Sequence, residues 1–81
     1  AAVSDFDAAL RLDPGYRDAL NNRGLALVQL KKYDEAVASF SDSIRISPDY
    51  AGGWNNRALA YHQLERFVEA VDDMTKAIEL Q

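Results

Sequence analysis

The sequence predicts an all-α protein in which antiparallel helical hairpins stack as a solenoid of five helices. The first observation behind this prediction is an internal repeat: the segment from Leu20 to Leu30 recurs from Trp54 to Leu64, at an offset of 34 in the numbering. A fixed period of this length is typical of solenoids whose unit is a helix pair. The second observation is that apolar residues recur at the spacing of one helical face in each predicted helix.

Two proline corners separate the repeats. The first predicted helix ends before Pro14, because the residue that precedes a proline is pushed out of the helical region. The corner Asp13-Pro14-Gly15 has its counterpart one period later, in Ser47-Pro48-Asp49. We therefore expect a new hairpin to start after each corner.

The predicted helices are amphipathic. In the second, Leu20, Leu27 and Leu30 are expected on one buried stripe, and Asp34 is a suitable N-cap for the third. The opening segment matches the second helix of each later hairpin, so the predicted order is B, A-B, A-B, where A and B are the first and second helices of a repeat. The predicted helices cover residues 1–13, 16–31, 35–46, 51–64 and 68–81.

Length, charge and cysteine content exclude several classes of function. The chain has 81 residues, a net charge of −4 and no cysteine. Nucleic acid and anionic membranes need a concentrated basic surface, and here basic residues are interleaved with acids. No cysteine means no disulfide and no Cys-ligated zinc. No apolar run is long enough to cross a bilayer. We expect a soluble, cytoplasmic protein with no cofactor and no nucleic-acid or membrane partner.

The repeat pattern resembles the tetratricopeptide repeat (TPR) family over the whole chain. The resemblance implies a right-handed solenoid, with the second helix of a partial repeat over residues 1–16, a full repeat over 17–50 and a near-complete repeat over 51–81. Arg23 and Arg57 stand where many members carry an aliphatic residue, which indicates an Asn-Arg-Gly/Ala subtype. The matching positions are Leu20, Gly24, Leu27, Ala36, Phe40, Ser43 and Pro48, then Trp54, Ala58, Tyr61, Ala70, Met74 and Ala77.

Small and aromatic residues are expected to set the helix spacing. Gly24 facing Ala36, and Ala58 facing Ala70, would let paired helices approach closely, which offsets a glycine's cost of about 1 kcal/mol in a helix. The larger aromatics are then interpreted as wedges between layers, although each could instead stack on a ligand. These aromatics are Phe40, Trp54, Tyr61 and Phe67.

In the family, binding takes place on the concave surface formed by the first helix of each repeat. The resemblance therefore implies a groove for an extended peptide segment, lined mostly by amide and aliphatic side chains. The implied groove residues are Asp18, Asn21, Asn22, Leu25, Val28 and Gln29 in one repeat, and Asn55, Asn56, Leu59, His62 and Gln63 in the next.

The repeated asparagines are the sharpest feature of this groove. An asparagine amide has one acceptor and two donor hydrogens, so Asn22 and Asn56 could bond both the C=O and the N–H of a peptide backbone. This is similar to the asparagine ladder of the TPR superhelix in O-linked N-acetylglucosamine transferases. The alternative that these amides are solvated, or bond local backbone, stays open.

A rival binding mode is the carboxylate clamp of chaperone-binding family members, which needs Lys, Asn, Asn, Lys and Arg over three repeats. Asn22 or Asn56 could be its central asparagine. If Asn56 is central, Asn21 and Leu25 stand where Lys and Asn are needed. If Asn22 is central, Gly52 and Asn56 stand where Lys and Arg are needed. We therefore predict no binding of chaperone-type acidic C-termini.

The remaining polar residues indicate structure rather than catalysis. Arg23 and Arg57 could hold a phosphate, but pairing with acids such as Asp5 and Asp73 is favoured because both arginines should face the paired helices. His62 is the only histidine, so neither a metal site nor a general base with its nucleophile can be assembled from these residues. The sequence predicts no enzyme.

Two functions from different classes follow from the predicted array. The favoured one is a protein-protein interaction scaffold that binds an extended peptide of unknown identity in the concave groove. The alternative is a self-association module: the predicted array has no polar capping helix at either end, and end-to-end stacking would give a homo-oligomer.

Overall fold

The structure is a computed structural model that describes residues 17–81, and this part of the chain consists of four α-helices joined by short turns. They correspond to the second to fifth predicted helices, with ends that differ by up to a few residues. The first predicted helix lies outside the described residues, as does Asp5. The helices are α1 (Arg17–Gln29), α2 (Tyr33–Ile46), α3 (Ala51–Gln63) and α4 (Phe67–Glu79).

Each helix packs against the next one along the chain, and α1 also touches α3. The arrangement is therefore two hairpins, α1 with α2 and α3 with α4, joined by the packing of α2 on α3. This is the predicted A-B, A-B order. The two A helices, α1 and α3, are neighbours, so side chains on their exposed faces can act together.

The hydrophobic core lies where α1, α2 and α3 meet. Leu27, Ala36, Phe40 and Ala60 form one buried cluster. The hydroxyl of Ser39 donates a hydrogen bond to the backbone carbonyl of Leu20 at 2.8 Å in this buried region. That bond gives a partner to a polar group that would otherwise be buried without one, and it ties α2 to α1.

Gly24 is required by an aromatic ring rather than by another small residue. A β-carbon at Gly24 would overlap the ring of Phe40, and Phe40 has 0% of its surface exposed. We expected Gly24 to face Ala36, but the ring of Phe40 fills the space beside Gly24. The absence of a side chain at Gly24 lets Phe40 pack closely against α1.

The predicted burial of Leu30 is wrong, because α1 ends at Gln29 and Leu30 is 61% exposed. The chain leaves the helix through Lys31, whose φ of 62° is left-handed. Lys32 N–H then bonds the carbonyl of Leu27 at 2.8 Å, a C-terminal capping pattern usually built with glycine. Leu30 is thus outside the helical register that buries Leu27.

The same turn recurs in the second hairpin. Glu65 stands one repeat period after Lys31 and has a φ of 61°. Arg66 N–H bonds the carbonyl of Tyr61 at 2.9 Å, as Lys32 bonds that of Leu27. Both hairpins therefore close through a left-handed residue at the same repeat position, and in neither is that residue a glycine.

The prediction that Asp34 caps the third helix is also wrong. The helix α2 begins at Tyr33, its N-cap residue is Lys32, and that residue makes no side-chain capping bond. Asp34 and Glu35 lie in the first turn instead. Their carboxylates still suit the positive end of the helix dipole there.

Candidate functional site

The eleven predicted groove residues all lie on the two A helices, but they differ in exposure. Val28 and Asn56 are half-buried, and Val28 packs against the core cluster. Asn21 is buried. The exposed members are Asp18, Asn22, Leu25 and Gln29 on α1, and Asn55, Leu59, His62 and Gln63 on α3.

Asn21 was predicted to contact a ligand, but it does not lie on the exposed surface. Its side chain is buried, with 6% exposed. Neither polar atom of its amide has a hydrogen-bond partner within the described part of the chain. A buried amide without a partner costs about 1 to 3 kcal/mol. Asn55, at the equivalent position of the second repeat, is exposed.

A cleft opens between α3 and α4 beside the predicted groove residues of the second repeat. Its volume is about 290 Å³, and its lining is Asn55, Ala58, Leu59, His62 and Met74. The sequence prediction placed Ala58 and Met74 in the helix packing and missed that they line a surface cleft. The available signal was Met74 itself, which stands where the family usually carries an aromatic residue.

His62 lies at the end of α3 with its ring near that of Phe67. The two ring centroids are 5.4 Å apart, and the planes meet at 67° in an edge-to-face arrangement. Phe67 is half-exposed rather than wedged in the core. His62 is exposed, so it belongs to the rim of the cleft.

Arg57 makes polar contacts with both helices that flank α3. Its Nε and Nη2 atoms donate to the two carboxylate oxygens of Asp73 at 2.7 and 2.8 Å. Its Nη1 atom donates to the hydroxyl of Ser41 on α2 at 3.1 Å. The guanidinium carbon lies 5.1 Å from the ring centroid of Trp54 and 5.6 Å from that of Tyr61.

These contacts confirm the predicted pairing of Arg57 with Asp73. The hydrogen bond with Asp73 raises the pKa of the Arg57 guanidinium, against the opposing effect of burial. Because the carboxylate already occupies the guanidinium fork, Arg57 is not placed to hold a phosphate. The predicted pairing of Arg23 with Asp5 involves a residue, Asp5, that lies outside the described range.

Residues 17–81 contain neither a candidate metal cluster nor a candidate membrane span. In this range no three side chains of His, Cys, Asp or Glu come together as a metal ion would need. None of the four helices has the length and apolar character to cross a membrane. What these residues do present on α1 and α3 is a set of amides and aliphatic side chains, which can bond a peptide backbone and contact apolar side chains.

Comparison with protein families identifies the repeat. A profile described as "TPR repeat" matches residues 24–65, and one described as "Tetratricopeptide repeat" matches residues 51–81. The first match covers just over half of the 81-residue chain. No curated protein matches the chain.

Several solved structures are similar to this one. A crystal structure of MamA superposes with a TM-score of 0.90 at 27% identity, covering 96% of this chain and 46% of that one. MamA from Desulfovibrio magneticus RS-1 gives a TM-score of 0.83 at 28% identity, covering 98% of this chain and 45% of that one. This chain thus spans less than half of those two MamA chains.

A third similar structure is the second TPR of Spaghetti (RPAP3), which is bound to the HSP90 peptide SRMEEVD. Its TM-score is 0.89 at 22% identity, covering 98% of this chain and 73% of that one. Identity at this level supports the fold alone. Taken with the two profile matches and the two stacked helical hairpins, it leads to one conclusion: the chain belongs to the tetratricopeptide repeat family.

Proposed function

We propose that this protein is an interaction scaffold that binds an extended peptide segment across the exposed faces of α1 and α3. One observation carries the proposal. The two A helices present the same pair of residue types one repeat period apart, Asn22 with Leu25 and Asn56 with Leu59. A ligand that crosses from one helix to the other would meet an amide and an aliphatic side chain twice.

The chemistry of these residues favours recognition of the peptide backbone. Each asparagine can accept a backbone N–H and donate to a backbone C=O, while Leu25 and Leu59 are both exposed and give apolar contact. The peptide-bound RPAP3 structure supports this use of the fold. We further propose that the chain forms a right-handed solenoid of the Asn-Arg-Gly/Ala subtype.

The proposed ligand is neutral or basic rather than acidic. Among the exposed groove residues, Asp18 is the carboxylate, and no lysine or arginine belongs to this set. An acidic C-terminus would therefore find no groove cation to pair with. We expect no saturable binding of SRMEEVD by this chain, measured by isothermal titration calorimetry. A micromolar dissociation constant for that peptide would contradict the proposed selectivity.

The groove itself can be tested by displaying a library of extended peptides and selecting binders on the 81-residue chain. For each binder, affinity is then measured for the double variant Asn22→Ala/Asn56→Ala. Losing both amides should weaken binding by roughly 10- to 100-fold, at a net loss of about 1 kcal/mol for each asparagine. Arg45→Ala on α2 is the matched control, because Arg45 is exposed and lies outside the A helices.

The outcomes of this selection separate groove binding from other behaviour. Binders that weaken in the asparagine double variant and not in Arg45→Ala support the groove. Binders that lose equal affinity in both variants, or that are indifferent to both, would place the peptide elsewhere. Circular dichroism of each variant checks that the helices are intact.

Self-association is the second candidate function, and the exposed apolar surface of α4 favours it. Val68, Val71 and Ile78 are each at least 60% exposed, and apolar surface of this kind marks interaction sites. If the protein works this way, its mass in light scattering rises with concentration and falls again when the surface is made polar. A monomer mass that stays constant as the protein concentration rises would exclude self-association.

A further inference from the structure

The exposed faces of α1 and α3 repeat in register. The helix α3 begins and ends one repeat period after α1, so the two helices are equal in length. Asn22 and Asn56 therefore hold the same place along their helices, and so do Leu25 and Leu59. We refer to each asparagine together with its leucine as a rung.

The exposure of a rung does not depend on whether another A helix follows it. Leu25 is 40% exposed although α3 packs beside α1, and Leu59 on α3 is 45% exposed. Asn22 is likewise exposed beside α3. A neighbouring A helix therefore leaves this face of the preceding one open, and the rungs stay available to a ligand within a stack of hairpins.

Helix packing sets the distance between the two rungs. The helices α1 and α3 are in contact, and helices in contact have axes about 8 to 10 Å apart. Each short turn reverses the chain direction, so α1 and α3 run the same way and their rungs lie side by side. A ligand that meets both rungs in the same way must therefore repeat its own structure at about 8 to 10 Å.

Two extended backbone conformations can be compared with this spacing. In a β-strand, side chains return to one face every second residue, at about 6.6 Å and then at about 13 Å. In a polyproline II helix, three residues make one turn with a rise of about 3.1 Å each, so one face returns about every 9.3 Å. Of these two conformations, polyproline II is the one that matches the rungs.

The hydrogen-bonding groups of the rungs suit the same backbone. A polyproline II helix has no internal hydrogen bonds, so its backbone polar groups are free to bond a partner. One asparagine for each turn can accept one backbone N–H and donate to one C=O. A single N–H in every three residues is then enough. The other two residues can be proline, which has no N–H.

We propose that the groove of α1 and α3 recognises a proline-rich segment in the polyproline II conformation, with a large aliphatic side chain at every third residue. This proposal rests on the peptide-binding function proposed above and specifies its ligand class. Each asparagine holds the backbone of one turn, and Leu25 or Leu59 contacts the aliphatic side chain of that turn. Because the prolines hold the ligand in its bound conformation beforehand, less entropy is lost on binding.

The test compares isomeric peptides that are labelled, end-blocked and composed of leucine and proline in a ratio of one to two. In the first peptide, leucine stands at every third position. In the second, the same number of leucines alternates with prolines and the remaining prolines follow. We expect the 81-residue chain to bind the first peptide saturably and at least about tenfold more tightly than the second, measured by fluorescence anisotropy.

A third peptide keeps the leucine spacing and has glycine or serine in place of each proline. Its affinity should also be at least about tenfold lower, because a flexible chain must be ordered when it binds. Equal affinity for the two isomers, or no saturable binding of the first, would overturn the proposal. Equal affinity for the first and third peptides would overturn the polyproline II conformation of the ligand.

One variant of the chain tests the need for two rungs. The spacing of the leucines matters only if both rungs are engaged, so Leu59→Ser should reduce the difference between the isomers to less than about threefold. Leu30→Ser is the matched control, because Leu30 is also an exposed leucine but lies outside the groove, and there the tenfold difference should persist. Undiminished discrimination in Leu59→Ser would overturn the proposal. Circular dichroism checks that both variants are folded.

The failure of this proposal can be distinguished from the failure of the groove itself. Library binders that depend on Asn22 and Asn56 but lack a three-residue pattern would keep the groove and overturn the proline-rich ligand. If no binder depends on the two asparagines, both proposals are wrong. Binding of the first isomer that weakens in Asn22→Ala/Asn56→Ala and in Leu59→Ser, and not in Leu30→Ser, supports both.

Discussion

The two hairpins follow the same sequence register but differ in what holds them together. In the hairpin of α1 and α2, Phe40 has 0% of its surface exposed and lies against Gly24. In the hairpin of α3 and α4, Met74 takes that position and is 49% exposed. An aromatic core residue is thus found where a further helix covers the hairpin, and a flexible side chain where no described helix does.

The polar contacts of the two hairpins also differ. Ser39 of α2 donates a neutral hydrogen bond to the carbonyl of Leu20, and its counterpart in the next repeat is Asp73, which pairs with Arg57. The first hairpin therefore has a buried aromatic ring and a neutral hydrogen bond at the positions where the second has a half-exposed methionine and an ion pair. Repeats with equal register can reach stability by different interactions, depending on the neighbour that covers them.

The largest expected effect separates the two cores. Phe40→Ala should lower the free energy of unfolding by roughly 3 to 5 kcal/mol, because it leaves a cavity in a fully buried site. Met74→Ala should cost about 1 kcal/mol or less, since half of that side chain is already in solvent. Urea denaturation of both variants measures the difference. Equal losses would mean that the two hairpins have equivalent cores.

The next effect concerns the ion pair. Arg57→Met leaves the Asp73 carboxylate, only 5% exposed, without its partner. We expect a loss of roughly 3 kcal/mol, at the lower end for a buried pair because the Arg57 side chain is itself 19% exposed. Arg45→Met is the control: its pair with Asp42 is largely exposed and should contribute less than about 1 kcal/mol. Similar losses in both variants would contradict a special role for Arg57.

Replacing Gly24 and replacing Gly52 by alanine should affect stability differently. Gly24→Ala forces a methyl group into the buried Phe40 ring, and we expect a loss of roughly 1 to 3 kcal/mol. At Gly52 a β-carbon would lie 2.6 Å from the ring of Tyr50, which is partly exposed and can move. The gain in helix propensity there opposes the loss of the Arg17 contact with Tyr50. We expect Gly52→Ala to change stability by less than about 0.5 kcal/mol in thermal denaturation.

The two hairpin turns should respond alike when their left-handed residue is replaced by glycine. Lys31→Gly and Glu65→Gly each relieve a left-handed residue, at the expense of greater chain entropy in the unfolded state. We expect each to stabilise the chain by roughly 0.5 kcal/mol, measured as a shift in the denaturation midpoint. A gain at one turn with a loss at the other would show that the two turns are not equivalent.

The smallest effect is electrostatic and belongs to the second hairpin. The backbone N–H of Glu69 itself, and then the hydrogen bond from Arg66, lower the pKa of the Glu69 carboxyl below the ordinary value of 4.5. Its contribution to stability is therefore present at neutral pH and is lost as the pH falls through the lowered pKa. Arg66→Gln should move the pKa part of the way back, because the backbone contribution persists. NMR titration of the Glu69 side chain measures both values, and an unchanged pKa in Arg66→Gln would exclude the Arg66 contribution.

Much of the fold could be predicted from the sequence because it depends on local patterns. The repeat period and the apolar spacing predicted the helices of residues 17–81, their pairing and the ion pair of Arg57 with Asp73. Helix ends were less accurate, since Lys31 forms a left-handed turn without the glycine that usually signals one. That turn removes Leu30 from the buried face, which periodicity alone does not reveal.

The candidate site was harder to predict because it depends on what covers each residue. Asn21 and Asn55 occupy the same register, yet one is buried and the other exposed. The repeat pattern treats the two positions alike and therefore does not distinguish them. The cleft beside Met74 was missed in the same way, since a methionine in place of an aromatic looks like a conservative replacement until the surrounding volume is known. The groove role of the asparagines stays a prediction.

The contacts of Arg57 bear on how the chain unfolds. One guanidinium group on α3 bonds Ser41 of α2 and Asp73 of α4, so it links both hairpins. In repeat proteins, the coupling between neighbouring units decides whether they unfold together or one at a time. Separating the two hairpins, or opening the second one, would remove a hydrogen-bond partner of Arg57. The two hairpins should therefore exchange their most protected amide hydrogens in a single cooperative event.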